Sequence, residues 1–257
     1  MDLSALENDG YQVVPSVIPP EEIPALLREA DRLKTVAEGD APLDQRLRVL
    51  RSKTRSGERL VRGLQNSHHV SAIIDGLRLH PAIGCILQRI LGPDIKTVLT
   101  SIFWKPAGEP ASGIAYHQDA GFRTPPSAFR DLAKSYLQLA VALDAQDDRN
   151  GGLRFVTGSH TQARLFVRQE QSVLLGDAGE SELRDMGLSP NKVCAVRLEP
   201  GDVVMWNAFT VHGSGPNRSL DRDRRSFTIA SMRAGDCDAG IDAYVHGQPI
   251  AAAETGR

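Results

Sequence analysis

After Pro93 the periodicity of the chain changes, and that change restricts the fold more than any single residue does. Before it, apolar residues recur at helical spacing. Ile23, Leu26, Leu27, Ala30 and Leu33 follow the start signal Pro19-Pro20-Glu21-Glu22, and the runs Ser71 to Leu79 and Ala82 to Leu91 are broken at Pro81 and closed by Gly92-Pro93. Beyond it, short alternating or β-branched runs are separated by turn residues: Ile95 to Trp104, Ile114 to Asp119, Tyr136 to Leu143, Leu153 to Val156, Val193 to Leu198, Val203 to Trp206 and Arg225 to Ser231. One earlier strand is expected at Tyr11 to Val14, after the turn Asp9-Gly10. Helices first and short strands later are the layout of a mainly β jelly roll or sandwich with helices packed on one side. The chain has 257 residues, within what one such β-rich domain uses. A single domain is therefore expected, with a helical N-terminal part over 1–93, a jelly-roll core over 94–233 and a loose tail over 234–257.

Composition removes several classes of function. A formal net charge of -2 supplies no global attraction to nucleic acid or to a membrane surface, so neither is expected as a partner. Cys85, Cys194 and Cys237 are odd in number and far apart, outside any CxxC, which suggests neither a disulfide framework nor a zinc site. No basic leader precedes an apolar run, and a reducing cytoplasm is the expected location. One segment is locally charged: Arg46, Arg48, Arg51, Lys53, Arg55, Arg59 and Arg62 face the single acid Glu58. The expectation is a solvated, partly mobile surface stretch; the functional alternative is an entrance loop that draws in an anionic substrate.

The residues that carry chemistry centre on Tyr116-His117-Gln118-Asp119-Ala120-Gly121. In a strand, His117 and Asp119 point the same way, and an imidazole with a carboxylate supplies two ligands of a facial triad that leaves half of an Fe(II) coordination sphere open. His212 is the best-placed third ligand, at the end of a strand-like run and opening the glycine-rich turn Gly213-Ser214-Gly215-Pro216-Asn217. His68, His69 and His80 surround the early helices, where packing or capping is the expected role. Asp144, Asp147 and Asp148 lack calcium-loop spacing and read as a solvated turn.

Taken together, Lys105, His117-X-Asp119, the turn Asn150-Gly151, Gly158-Ser159-His160, Pro200-Gly201-Asp202, His212-Gly-Ser-Gly-Pro-Asn217 and an arginine-led strand resemble the phytanoyl-CoA dioxygenase family of Fe(II)- and 2-oxoglutarate-dependent oxygenases, from about Gly10 to Ser231. The resemblance implies a double-stranded β-helix whose mouth holds iron through His117, Asp119 and His212, with 2-oxoglutarate and O2 as cosubstrates. It also implies a small-molecule substrate, and the basic segment leans toward an anionic one. The far carboxylate of a chelated keto acid needs a buried cation, best met by a guanidinium fork. Arg218, Arg222, Arg224 and Arg225 are the candidates. Arg224 shares a strand face with Ser226, Thr228 and Ala230, a small and polar set that suits a cavity, and is preferred. A connection one residue longer than the family's leaves Arg225 open, since a one-residue slip exchanges the faces. Ser214 matches the family position that bonds the same carboxylate, and Gln118, Lys105 and Gln138 are further candidate contacts, although alternation turns Gln118 away from the metal. His160 is expected to brace its loop. Trp206, Tyr116 and Phe122 could be pocket lining or core.

By the same resemblance an aspartate at 119 implies oxygen transfer, and the expected reaction is hydroxylation of an unactivated C–H bond, in the biosynthesis of a secondary metabolite. Desaturation, epoxidation and ring formation are alternatives at the same site. A non-catalytic cupin-like binder and a zinc hydrolase using the same three ligands are the competing readings.

Overall fold

In the computed structural model, residues 2–54, 56–162 and 178–252 are described. Helix α1 (Ser4–Asp9) stops at Gly10, whose φ of 86° is left-handed. Glycine is required there for a second reason: a Cβ would lie 2.5 Å from the His160 ring and 2.8 Å from Thr210 Oγ1. Strand β1 (Tyr11–Val14) leads to α2 (Ile23–Glu38), which buries Ile23, Leu26, Ala30 and Leu33, the stripe that the sequence periodicity marks out. After β2 (Arg48–Lys53) and β3 (Arg59–Gln65) come α3 (Ala72–Arg78), capped by the Ser71 side chain, and α4 (Pro81–Leu91), where proline occupies the first turn and the His80 ring accepts from the Ala82 amide. Histidine 80 is thus a helix cap.

The rest of the chain is mostly strand: β4 (Ile95–Lys105), β5 (Ile114–His117), β6 (Tyr136–Ala142), β7 (Leu153–Val156), β8 (Val193–Ala195), β9 (Val203–Trp206), β10 (His212–Ser214), β11 (Arg224–Arg233), β12 (Ile241–Val245) and β13 (Gln248–Pro249). Among the described residues two short α-helices lie between these strands, α5 (Leu132–Ser135) and α6 (Glu180–Asp185). The major sheet has the order β1-β9-β6-β11-β4-β12-β13, with β3 also on β4 and β2 on β3. The minor sheet runs β5-β10-β7-β8, and the pairings in both are antiparallel. This is a double-stranded β-helix. The outer face of the major sheet packs against α2 to α4 through Leu26, Leu33, Ile83, Leu87, Leu139, Val141, Met205, Phe227 and Ile229. Its inner face meets the minor sheet through Ala140, Ala142, Phe155, Val204 and Trp206. Because β11 alternates, Phe227 and Ile229 enter the helix-covered core while Arg224, Ser226 and Thr228 face the space between the sheets.

Two parts differ from the sequence expectation, and a third agrees with it in part. The basic stretch includes the hairpin β2-β3 at the rim of the sheet, where Arg48, Arg51, Lys53 and Arg59 are exposed, as expected of a solvated stretch, while Arg62 is buried. The first 93 residues are not purely helical, since β1, β2 and β3 extend the major sheet. The C-terminal stretch is not loose over its described length: β12 adds to β4 and buries Ala243 and Tyr244. Two well-placed apolar residues suffice to dock a strand that looks small and polar on average. Much of the polar excursion over 162–191, residues 163–177, lies outside the described residues. No helix among the described residues is long and apolar enough to cross a membrane.

Candidate active site

Strand β5 ends at His117, Gln118 keeps an extended backbone with φ -114° and ψ 132°, and Asp119 opens a tight turn through Phe122. The alternation expected of a strand therefore survives two residues past its end, and His117 and Asp119 face the same cavity. His212 enters from the neighbouring strand, in direct register with His117. The two rings are 4.2 Å apart, and Asp119 Oδ1 lies 3.9 Å from the Nε2 atom of each. Among the described residues this trio is the one group of three or more potential ligands, with its ligand atoms within 4.8 Å of one another.

The stretch His212–Ser214 is a strand and not the expected glycine-rich turn, and the glycine serves packing. A Cβ at Gly213 would sit 2.9 Å from the Ile114 carbonyl oxygen, so glycine lets β10 lie close on β5 and brings the two histidines together.

Hydrogen bonds fix the donor set. Nδ1 of His117 lies 2.9 Å from the Ala115 carbonyl, and Nδ1 of His212 lies 2.9 Å from the Thr210 carbonyl. A carbonyl only accepts, so each Nδ1 carries a proton, and Nε2, turned toward Asp119, is the nitrogen through which the neutral ring can bind a metal. Two imidazole nitrogens and one carboxylate oxygen fit a first-row divalent ion such as Fe(II). The remaining oxygen, Asp119 Oδ2, accepts a 2.8 Å hydrogen bond from Trp206 Nε1.

From the trio the cavity extends between the sheets, with about 850 Å³ of space including its mouth. Arg224 and Ser214 line it, as do Ser226, Thr228 and Gln138. Arg224 is buried, and its Nε donates to Gln146 Oε1 at 2.9 Å, which leaves the two terminal nitrogens without a hydrogen bond among the described residues. Burial lowers its pKa to about 10, still charged at neutral pH. Arg225 takes the opposite face and is held by Asp144 and Asp31, both at 2.8 Å. The face alternation that favours Arg224 on sequence grounds is the one present.

Lys105 and Gln118 are placed differently from the expectation of cofactor contact. Lys105 opposes Arg224 in the sheet, fully buried, and its Nζ donates to Ser214 Oγ at 2.6 Å and to the carbonyls of Gly215 at 2.6 Å and Gly151 at 3.1 Å. It orients Ser214 from behind and is not among the lining residues; burial beside Arg224 pushes its pKa well down. Gln118 points away from the cavity and donates to the Phe209 carbonyl at 2.8 Å, as alternation dictates. Gln138 does line the cavity. Its Oε1 accepts from the Tyr136 hydroxyl at 2.6 Å, so its amide nitrogen is the end left to donate.

Other tempting residues settle plainly. His160 Nε2 lies 3.0 Å from the Glu7 carbonyl, tying its loop to α1. His68 Nδ1 lies 2.8 Å from Thr100 Oγ1 and its ring lies tilted against that of His69 with centroids 4.1 Å apart, away from the trio. Asp144, Asp147 and Asp148 are paired with Arg225, Arg222 and Arg154 and form no cation loop. Tyr116 is core, against Leu183 and Val211, whereas Phe122 lines the cavity 5.4 Å from the His117 ring.

Two residues of the site and its surroundings have no clear signal in the sequence. Arg123 lines the cavity just past the turn that carries Asp119, donating to the Tyr136 hydroxyl at 2.9 Å. Arg62, inside the basic run, is buried and clamps the loop before β5 through the carbonyls of Ala111 at 2.6 Å, Ser112 at 2.5 Å and Gly113 at 2.8 Å.

A double-stranded β-helix with two imidazoles and a carboxylate on its inner wall, and a buried arginine facing the same cavity, fits the class of Fe(II)- and 2-oxoglutarate-dependent oxygenases. Comparison with known proteins gives the family. The model for phytanoyl-CoA dioxygenase matches residues 6–226, and the chain belongs to that family, whose members are dioxygenases dependent on iron and 2-oxoglutarate. It is 27% identical over 233 residues to a probable alpha-ketoglutarate-dependent hypophosphite dioxygenase of Stutzerimonas stutzeri, covering 89% of this chain and 76% of that one. It is also 27% identical over 227 residues to an ectoine dioxygenase of Streptomyces coelicolor, covering 84% and 72%. Among solved structures, the epimerase SnoN in complex with Fe3+, alpha ketoglutarate and nogalamycin RO superposes with a TM-score of 0.66 at 24% identity, covering 95% of this chain and 85% of that one. EctD from S. alaskensis gives 0.67 at 18% identity, covering 91% and 76%.

Proposed function

We propose that this dioxygenase hydroxylates an unactivated C–H bond of a small, anionic molecule in secondary-metabolite biosynthesis. His117, Asp119 and His212 would hold Fe(II), and Arg224 with Ser214 would hold the far carboxylate of 2-oxoglutarate. The observation that carries this reading is the single cavity shared by the trio and by the unclaimed terminal nitrogens of Arg224. When bound, iron and the keto acid use O2 to insert one oxygen atom into the substrate and one into succinate, with release of CO2.

The chain's own residues do the rest. The two backbone carbonyls hold each imidazole in the tautomer that binds metal. Fe(II) held by these three residues alone would keep coordination positions for its cosubstrates. Lys105 fixes the Ser214 hydroxyl so that Ser214 and Arg224 meet a carboxylate without reorganisation. Leu50, Leu99, Phe103 and Phe122 line the cavity and exclude water from the reacting carbon. The Gln138 amide nitrogen offers a donor to a polar group on the substrate, and the guanidinium charge of Arg123 beside the cavity favours an anion. A zinc hydrolase has no use for Arg224.

The reading is tested by incubating the Fe(II)-loaded protein with 2-oxoglutarate and O2 and measuring succinate. Slow release that disappears in Asp119→Ala and His212→Ala is expected. Succinate formation unaffected by these changes would overturn it.

A further inference from the structure

Trp206 sits at the end of β9 in the major sheet, paired with Gln138 on one side and Tyr11 on the other. The metal-ligand candidates arrive from the other side of the barrel, on β5 and β10 and the turn after β5. The indole crosses the gap. Its ring lies 4.8 Å from that of His212 and 5.4 Å from that of Phe155, and Nε1 reaches Asp119 Oδ2 at 2.8 Å. Trp206 is 3% exposed and Asp119 7%, so this hydrogen bond is made out of water, where a neutral donor to a carboxylate is strong.

We propose that Trp206 is the positioning residue that commits Asp119 to bind the metal through one oxygen. The proposal rests on the assignment of the trio as a metal site. The two oxygens of Asp119 have different surroundings: Oδ1 faces both Nε2 atoms at 3.9 Å each, and Oδ2 is turned into the indole N–H. A carboxylate free to rotate can bind an ion through both oxygens and occupy a position that the cosubstrates need. Holding Oδ2 on Trp206 prevents this without adding a charge. The bond also ties the turn carrying Asp119, which is not in either sheet, to a fully buried strand of the major sheet.

The test is Trp206→Phe, which keeps an aromatic ring against Phe155 and His212 and removes the N–H. Anaerobic Co(II) binding is measured in wild type, Trp206→Phe and Asp119→Ala, alongside thermal unfolding of the metal-free proteins and the ratio of 2-oxoglutarate consumed to O2 consumed in the iron form. The expected result is a rise in the Co(II) Kd of roughly 10- to 100-fold in Trp206→Phe, the range typical for loss of a hydrogen-bonding partner behind a ligand. The unfolding midpoint of the metal-free form should change far less, because the packing surface is retained. Binding within about twofold of wild type, with an unchanged cosubstrate ratio, would overturn the proposal. If Trp206→Phe does not fold, 3-benzothienylalanine at position 206 retains the indole shape without the donor, and the same two results decide. Absence of Co(II) binding in wild type would instead refute the metal assignment itself.

Discussion

Replacing Arg224 with glutamine should raise the KM for 2-oxoglutarate by roughly 10²- to 10³-fold while leaving the fold intact. Breaking a buried ion pair by removing one partner costs about 3 to 5 kcal/mol, and glutamine retains a donor that returns part of it. At about 1.4 kcal/mol per factor of ten this gives the stated range. The starting geometry supports the upper part of the estimate. Arg224 is 2% exposed, its Nε is occupied by Gln146, and among the described residues no carboxylate forms an ion pair with it, so the free protein already bears the cost of burying the charge. Binding a carboxylate regains what burial costs. The metal-free, ligand-free variant should therefore be at least as stable as wild type, and should lose the stabilisation that saturating 2-oxoglutarate gives the wild-type metal complex, about 2.7 kcal/mol at a hundred times Kd. The assay is succinate formation against 2-oxoglutarate concentration, paired with thermal unfolding with and without the keto acid. Arg225→Met is the control: its ion pairs with Asp144 and Asp31 lie on the other face, so it should lower stability and leave KM within about twofold. A KM change below about fivefold in Arg224→Gln, or a larger one in Arg225→Met, would refute the reasoning.

Lys105→Met should raise the KM for 2-oxoglutarate by about tenfold with a smaller effect on kcat, because it releases Ser214 and leaves two carbonyls unsatisfied; steady-state kinetics separates the two parameters. His68→Gln should flatten the acid side of the stability profile. Burial first, then the charges of His69, Arg78 and Arg46, lowers the His68 pKa to about 3. Between that value and the ordinary 6.5 only the unfolded chain takes up the proton, so stability falls as pH drops below 6.5, by on the order of 4 kcal/mol at pH 3. Urea unfolding of both proteins from pH 7 to pH 4 reads the difference in slope.

Much of the site follows from short-range rules that act within one strand. A two-residue period places His117 with Asp119 and turns Gln118 away, and in β11 the same period separates the Arg224 face from that of Arg225. What depends on pairing between distant strands is not visible in one dimension. Lys105 is legible as a cation near the site, but its role behind Ser214 is set by its register opposite Arg224. Trp206 reads equally as core, and only the closing of one sheet over the other brings its N–H to Asp119. Arg62 is concealed for a different reason: six neighbouring basic residues make the run look solvated, while the backbone carbonyls of the loop before β5 give this one arginine enough acceptors to be buried. The stretch after Asp236 looks like a loose end by average polarity, yet Tyr244 and Ala243 anchor it.

The most direct test of the metal and keto-acid assignment is anaerobic absorption spectroscopy of the purified protein with Fe(II), titrated with 2-oxoglutarate. The account predicts a visible charge-transfer band of the chelated keto acid that saturates at one equivalent per chain, disappears in His212→Ala and requires much more 2-oxoglutarate in Arg224→Gln. A wild-type protein that binds Fe(II) without developing the band, or a band indifferent to both substitutions, would contradict it.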